Sequence, residues 1–158
     1  MFDLTVQTVA RRLNLSRPTV YRYFPTVADI MQALSDETIR AIYDNLPERA
    51  PSDPRYLDEF VTTAVNVFLS DPLVIRHLVL ASAIGRSSGS WYQVDPEDLL
   101  RTVISELPEQ KRPVSSDPNE AARVLITYFR GALYGWAAGF LSDEDFEKEA
   151  RRAVRLSR

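Results

Sequence analysis

Cysteine is absent from this chain of 158 residues. Its absence excludes disulfide scaffolds, zinc sites built on thiolates and cysteine nucleophiles, and it is compatible with a reducing cytoplasm. Histidine occurs once, as His77, and no acidic residue is spaced to orient it for catalysis. The carboxylates that remain as metal ligands stand at predicted helix starts, where capping explains them. We therefore expect no metal, no cofactor and no enzymatic activity.

Long hydrophobic runs are also lacking. The N-terminus does not have the basic head and apolar stretch of a secretory signal peptide. The run at residues 124–141 is interrupted by Arg130 and is shorter than the roughly 20 apolar residues that a membrane span requires. The sequence therefore predicts a cytoplasmic protein without a membrane partner.

Neither an alternating strand pattern nor a hairpin turn signal is present, so the sequence predicts an all-α fold. A loop with three prolines, Pro47, Pro51 and Pro54, predicts a boundary between two regions, residues 1–46 and 47–158. The helix near residues 73–84 is apolar nearly all round and is predicted to be central and buried. Eight helices are predicted, near residues 5–13, 16–24, 27–46, 54–69, 73–84, 95–107, 118–141 and 142–155.

The first two predicted helices form a helix-turn-helix. Thr5 can cap the first helix, and Asn14 tolerates the left-handed backbone that ends it. Ser16 and Pro18 are typical of the start of the second helix. Thr26 and Asp29 resemble a capping box at the start of the third, connecting helix. The inward face of the first helix is predicted from its apolar spacing: Val6, Val9, Ala10 and Leu13.

The outward face of the second helix carries forked cations, hydroxyl groups and aromatic rings, which can meet phosphates and base edges in a major groove. A solvated polar face on a helical hairpin would have the same pattern. Four arginines and one aspartate give residues 1–24 a charge of +3, so the remaining residues carry −6 of the total of −3. A basic N-terminal region on an acidic body is typical of a DNA-binding protein with a separate sensing or assembly region.

The segments Val9-Ala10, Leu13-Asn14-Leu15-Ser16 and Pro18-Thr19-Val20-Tyr21-Arg22-Tyr23-Phe24-Pro25 resemble the DNA-binding signature of the tetracycline-repressor (TetR) family of bacterial transcriptional regulators. The resemblance implies a homodimer that represses by binding a palindromic DNA operator and releases it when a small organic effector binds the second region. The DNA-binding residues that it implies are Thr5, Gln7, Ser16, Arg17, Pro18, Thr19, Tyr21, Arg22 and Tyr23.

Two features depart from the family pattern. The family has one more helix before this motif, nine in all, whereas this chain begins four residues before Thr5. We therefore expect that the start was assigned too late or that the chain is truncated, with an amphipathic helix encoded upstream. Val27 stands where the family often has a phosphate-binding lysine. These departures leave open the alternative that the chain is a helical sensing or interaction protein that does not bind DNA.

The predicted homodimer contact is a stripe of glycines in the helix near 118–141. Glycine in a helix interior costs about 1 kcal/mol relative to alanine, and small residues at this spacing permit close helix packing. Packing against the helix near 73–84 is the alternative. The predicted interface residues are Gly131, Gly135, Gly139 and, in the terminal helix, Phe146. The predicted effector-binding residues are Phe60, Ala64, Asn66, Phe68, His77, Trp91 and Tyr128, most of which could equally be core residues.

Overall fold

The computed structural model describes residues 5–50, 52–86, 101, 104–106 and 117–156. These ranges contain no strand, which confirms the all-α prediction. Residues 101 and 104–106 are helical and fall within the helix predicted near 95–107, whose other residues lie outside the described ranges. The seven bounded helices are α1 (Val6–Arg12), α2 (Arg17–Tyr23), α3 (Val27–Asp44), α4 (Tyr56–Phe68), α5 (Pro72–Arg86), α6 (Pro118–Ala137) and α7 (Asp143–Leu156).

The contacts divide the chain into two compact units, Met1–Glu37 and Thr38–Arg158. We call the first unit the head and the second the body. The boundary lies inside α3, whereas the sequence placed it in the proline-containing loop after that helix. One continuous helix therefore contributes residues to both units.

The head has a small core between α1 and α2. Val6, Ala10 and Val20 are buried. Three partly buried side chains pack against them: Phe24, Val27 and Ile30. This core fixes the relative positions of α1, α2 and the start of α3.

The body has an aromatic core, to which α4, α6 and α7 contribute. The rings of Trp136 and Phe146 stack with their centroids 5.1 Å apart, and both side chains are fully buried. Phe129 meets Phe146 edge to face at 5.9 Å, and Phe68 lies 6.1 Å from Phe129. The contact between Phe68 and Phe129 joins two helices, α4 and α6, that are far apart in sequence.

The prediction that α5 is buried all round is wrong. Ile75, Leu78 and Val79 are buried, but Leu73 is 64% exposed, and Val74 and Leu80 are also exposed. The helix contacts α6, and a helix that packs on a neighbour along one side leaves its other side to solvent.

The predicted end of α6 near residue 141 is also wrong, because the helix ends at Ala137. Gly139 has a positive φ of 84° and donates its backbone N–H to the carbonyl of Trp136 at 3.0 Å. The N–H of Phe140 donates to the carbonyl of Gly135 at 2.8 Å. This pair of hydrogen bonds is a Schellman motif, which satisfies the last carbonyl groups of the helix.

Among the described helices, none is long and apolar enough by itself to cross a membrane. The pair Tyr56–Leu69 and Pro72–Ala81 reaches that length and composition only when taken together, across a bend of 101°. Within the same residues there is no group of three or more His, Cys, Asp or Glu side chains that could hold a metal ion.

Candidate nucleic-acid interface

Helix α1 begins with a capping box. The Thr5 hydroxyl accepts a hydrogen bond from the Thr8 N–H at 3.0 Å, and the Thr8 hydroxyl accepts one from the Thr5 N–H at 2.9 Å. These bonds satisfy two backbone donors that a helix start leaves without partners. Gln7 is exposed on the following turn. Of the two predicted DNA-binding residues here, Thr5 therefore also has a structural role, and the side chain of Gln7 extends into solvent.

The turn between α1 and α2 reverses the chain at Asn14. Its φ of 53° confirms the predicted left-handed backbone. The N–H of Leu15 donates to the Ala10 carbonyl at 2.9 Å, and the N–H of Asn14 donates to the Arg11 carbonyl at 3.3 Å, as in a Schellman motif. Leu13 was predicted to face inward, but it is 61% exposed. It is the C-cap, beyond the last helical residue, so helical spacing no longer sets its direction.

Helix α2 is fixed at its start and at its centre. The Ser16 hydroxyl accepts from the Thr19 N–H at 3.2 Å, and the two hydroxyl oxygens lie 2.6 Å apart. Pro18 lies in the first turn, where a missing N–H has no cost. Val20 is buried against α1 in the head core. The cap at Ser16 and the buried side chain of Val20 thereby set the orientation of the remaining side chains of α2.

The exposed face of α2 carries Arg17, Tyr21, Arg22 and Tyr23. Tyr21 is 43% exposed and Tyr23 is 64% exposed. Arg22 donates from Nη2 to the Tyr23 hydroxyl at 3.0 Å, and its guanidinium carbon lies 4.9 Å from the centre of the Tyr23 ring. Spacing could not have predicted this contact, because adjacent residues on a helix do not normally face each other. Such a face can donate hydrogen bonds to phosphates and base edges.

Helix α3 begins with the predicted capping box. Asp29 accepts from the backbone N–H and the hydroxyl of Thr26, both at 2.7 Å, and the Asp29 N–H donates to the Thr26 hydroxyl at 3.2 Å. Val27 packs against the head core. This position therefore contributes an apolar contact to the head where a lysine would contribute a charge.

The predicted effector-binding residues that the structure describes differ in their burial. Phe60 and Ala64 are buried in α4, and Phe68 packs on Phe129, whereas Asn66 is exposed. Trp91 lies outside the described residues.

The other two predicted effector-binding residues lie on α5 and α6. His77 is exposed on α5, with Nδ1 2.6 Å from the carbonyl oxygen of Leu73. The Tyr128 hydroxyl donates to a carboxylate oxygen of Glu149 on α7. That hydrogen bond, together with burial, raises the pKa of Tyr128. Tyr128 therefore ties α6 to α7.

The predicted interface residues differ in their surroundings. Gly131 is exposed, and a Cβ placed on it would have no atom within 4 Å. A Cβ on Gly135 would make an ordinary contact of 3.5 Å with Leu141 of the same chain. Gly139 forms the turn after α6, and Phe146 is fully buried in the body core. Of the two glycines inside α6, Gly131 is thus the one with open space around it, while Phe146 packs in the core of its own chain.

The sequence did not predict two features of the body. Phe140, in the turn after α6, is 85% exposed. Asp143 accepts hydrogen bonds from Trp136 Nε1 at 2.7 Å and from Arg76 Nη2 at 2.8 Å. The Arg76 guanidinium lies 4.7 Å from the centre of the Trp136 ring. The position of Asp143 in the sequence does not reveal a partner 67 residues away.

Comparison with known proteins gives two similarities. The family described as bacterial regulatory proteins, tetR family, matches residues 2–34, which include α1, α2 and the first part of α3. Over 78 residues the chain is 32% identical to the HTH-type transcriptional regulator EthR of Mycolicibacterium smegmatis. That similarity covers 47% of this chain and 36% of the relative, so the chain spans about a third of the length of the curated relative that it matches.

Proposed function

We propose that this chain, whose residues 2–34 match the family described as bacterial regulatory proteins, tetR family, is a transcriptional regulator that binds double-stranded DNA through its head. The observation that carries this proposal is the exposed face of α2. A capped helix, held by buried Val20, presents two arginines and two tyrosines to solvent. An α-helix with such side chains fits the major groove of B-DNA.

The two ends of α2 have different roles in this proposal. N-terminal residues of a recognition helix contact base edges. Arg17, the first residue of α2, is therefore the residue that reads sequence, since its fork matches the two acceptors of guanine. Tyr21 and Arg22 lie further along, where they contact backbone phosphates, which fix the register of the helix on DNA.

The protein acts as a homodimer in this proposal. A twofold dimer presents two copies of α2 to half-sites about 34–36 Å apart and therefore reads a near-palindrome. The support for dimerisation in this chain is the open surface at Gly131, which lies in the interior of α6 despite the cost of glycine there. Close approach of a second α6 would compensate for that cost.

The body is the sensing part of the regulator. A small organic effector would bind among the aromatic and polar residues predicted above and would bias α3, the helix that contains the boundary between the units. Tenfold weaker DNA binding needs about 1.4 kcal/mol of coupling between the two sites. In this role the protein is a cytoplasmic repressor, and it has no catalytic activity, cofactor or membrane partner.

Selection of DNA from a pool of random duplexes tests this function. The full chain should enrich a near-palindromic sequence. Arg17→Ala should still bind DNA but lose preference at one base pair in each half-site, whereas exposed Arg40→Ala in the body should select the same sequence as the original chain. Unchanged preference after the Arg17 replacement would reject that assignment.

The second candidate function is a helical sensing protein that does not bind DNA. It is supported by Val27, whose packing against the head core leaves an apolar residue where a cation would meet a phosphate. Under this alternative the selection enriches no sequence, and the protein does not bind duplex DNA even at low salt. The same experiment therefore distinguishes the two functions.

A further inference from the structure

Arg22 and Tyr23 make a contact that the geometry of a helix does not supply by itself. Neighbouring residues on a helix point about a quarter-turn or more apart, so their side chains normally diverge. Here the Arg22 side chain folds back, so that Nη2 donates to the Tyr23 hydroxyl at 3.0 Å and the guanidinium carbon lies 4.9 Å from the ring centre. One hydrogen bond and one cation–π contact therefore hold the guanidinium in place.

This arrangement leaves most of the guanidinium available. A guanidinium has five N–H donors, and the described contact with Tyr23 uses one of them. The Arg22 side chain is exposed, and the Tyr23 ring beneath it is 64% exposed. The pair therefore presents a flat cation with donors in one plane, which is the geometry that suits two oxygens of a phosphate.

We infer that Tyr23 is a positioning residue that orients Arg22 for a phosphate of the DNA backbone. The inference rests on the proposed function and assigns different roles to two residues: Arg22 contacts the phosphate, and Tyr23 holds Arg22 in position. The pair lies in the last turn of α2, whereas base reading belongs to the N-terminal turn, so a phosphate is the partner that fits its place. A long side chain that is already ordered loses less conformational freedom when it binds.

A double-mutant cycle on the full chain tests the inference, with a fluorescent duplex of random sequence as the probe. Tyr23→Phe keeps the ring and removes the hydroxyl, and it should weaken binding about twofold to tenfold, as expected for one hydrogen bond. In the Arg22→Ala background the same replacement should change affinity by less than about twofold, because Tyr23 acts through Arg22.

The salt dependence separates positioning from contact. Arg22→Ala should reduce the slope of log affinity against log salt by about 0.9, the value for one phosphate contact. Tyr23→Phe should leave that slope unchanged, since the number of neutralised phosphates stays the same. Arg22→Lys keeps the charge but not the planar fork, so it should weaken binding while it retains the slope.

Tyr21→Phe is the matched control on the same helix. Tyr21 is also exposed and has no role in holding Arg22 among the described contacts, so its replacement should weaken binding by the same factor in both backgrounds. Circular dichroism should show unchanged helix content for all variants, because each replaced side chain is exposed.

Equal effects of Tyr23→Phe in both backgrounds would overturn the inference and would make Tyr23 an independent contact. An original chain that does not bind duplex DNA at low salt would instead refute the proposed function. The two failures therefore give different results in the same experiment.

Discussion

The head and the body differ in the contacts that hold them together. The buried residues of the head are Val6, Ala10 and Val20, and the hydrogen bonds that fix its helices join residues three to five positions apart. In the body, fully buried Trp136 and Phe146 stack on each other, and the Arg76–Asp143 pair joins residues 67 apart. The head is therefore built mainly by local hydrogen bonds at helix ends, and the body by packing between distant segments.

This difference matches the proposed roles of the two units. A surface that reads DNA must hold a few exposed side chains at fixed angles, and caps at both ends of a short helix do that without a large core. A sensing unit needs a packed interior that can be biased by a ligand.

Trp136→Ala should have the largest effect, because it removes a fully buried ring together with its stacking on Phe146 and its hydrogen bond to Asp143. We expect a loss of about 3–5 kcal/mol in the free energy of unfolding. Urea titration followed by circular dichroism measures it. Leu73→Ala, at a 64% exposed position, is the control and should change stability by less than about 0.5 kcal/mol. Equal losses would contradict the described core.

Asn14→Ala should destabilise the head by about 1–2 kcal/mol, because alanine does not readily adopt the φ of 53° found there. Asn14→Gly is the control and should be nearly neutral, since glycine adopts this backbone without a Cβ clash. Thermal unfolding and affinity for duplex DNA report the effect. If both replacements cost the same, the left-handed turn is not what orders the head.

Gly131→Ala should raise the stability of the isolated protomer by about 1 kcal/mol, because alanine is the better helix former and its Cβ would meet no atom within 4 Å. Gly131→Trp should dissociate the proposed dimer, because it fills the surface at which two copies of α6 approach. Urea titration at low concentration and sedimentation at high concentration measure the two effects. A dimer that survives Gly131→Trp would place the interface elsewhere.

The smallest effect concerns pH. The hydrogen bonds from Trp136 and then Arg76 lower the pKa of Asp143 below its ordinary value of 3.8. A lowered pKa in the folded state means that the ionised carboxylate contributes stability above that ordinary value, and that this contribution is lost as the pH falls through the folded-state pKa. The side chain is half exposed, so solvent screening keeps the contribution small. Asp143→Asn should flatten this part of the stability profile, and an unchanged profile would contradict the assignment.

The same contrast explains what the sequence could predict. Asn14 and the Thr26–Asp29 capping box were predicted correctly, because their partners lie a few residues away. The prediction for Leu13 was wrong because this residue lies beyond the last helical residue of α1. The prediction for α5 was wrong because the burial of a helix depends on which neighbours it meets. The end of α6 was placed too late because Gly139 was read as part of a packing stripe, whereas its positive φ ends the helix.

The candidate site was predicted in a similar way. The residue types on α2 and the family signature pointed to the head, and the structure places Arg17, Tyr21, Arg22 and Tyr23 on its exposed face. The contact between Arg22 and Tyr23 could not be predicted, because it depends on one side-chain rotamer folding back over its neighbour. The predicted effector-binding residues of the body follow from residue type alone. A sequence does not distinguish the aromatic residues of a core from those of a pocket.

The salt dependence of binding to random duplex DNA shows whether the exposed face of α2 binds DNA. The measurement compares the original chain, a head variant with Arg17→Ala and Arg22→Ala, and a body variant with Arg123→Ala and Arg155→Ala, which loses the same charge from exposed positions. We predict that log affinity falls linearly with log salt concentration. The magnitude of this slope should be smaller by at least about 0.9 in the head variant, the value for one phosphate contact, and unchanged in the body variant. Equal losses in both variants, or no binding by the original chain, would contradict the claim that the exposed face of α2 binds DNA.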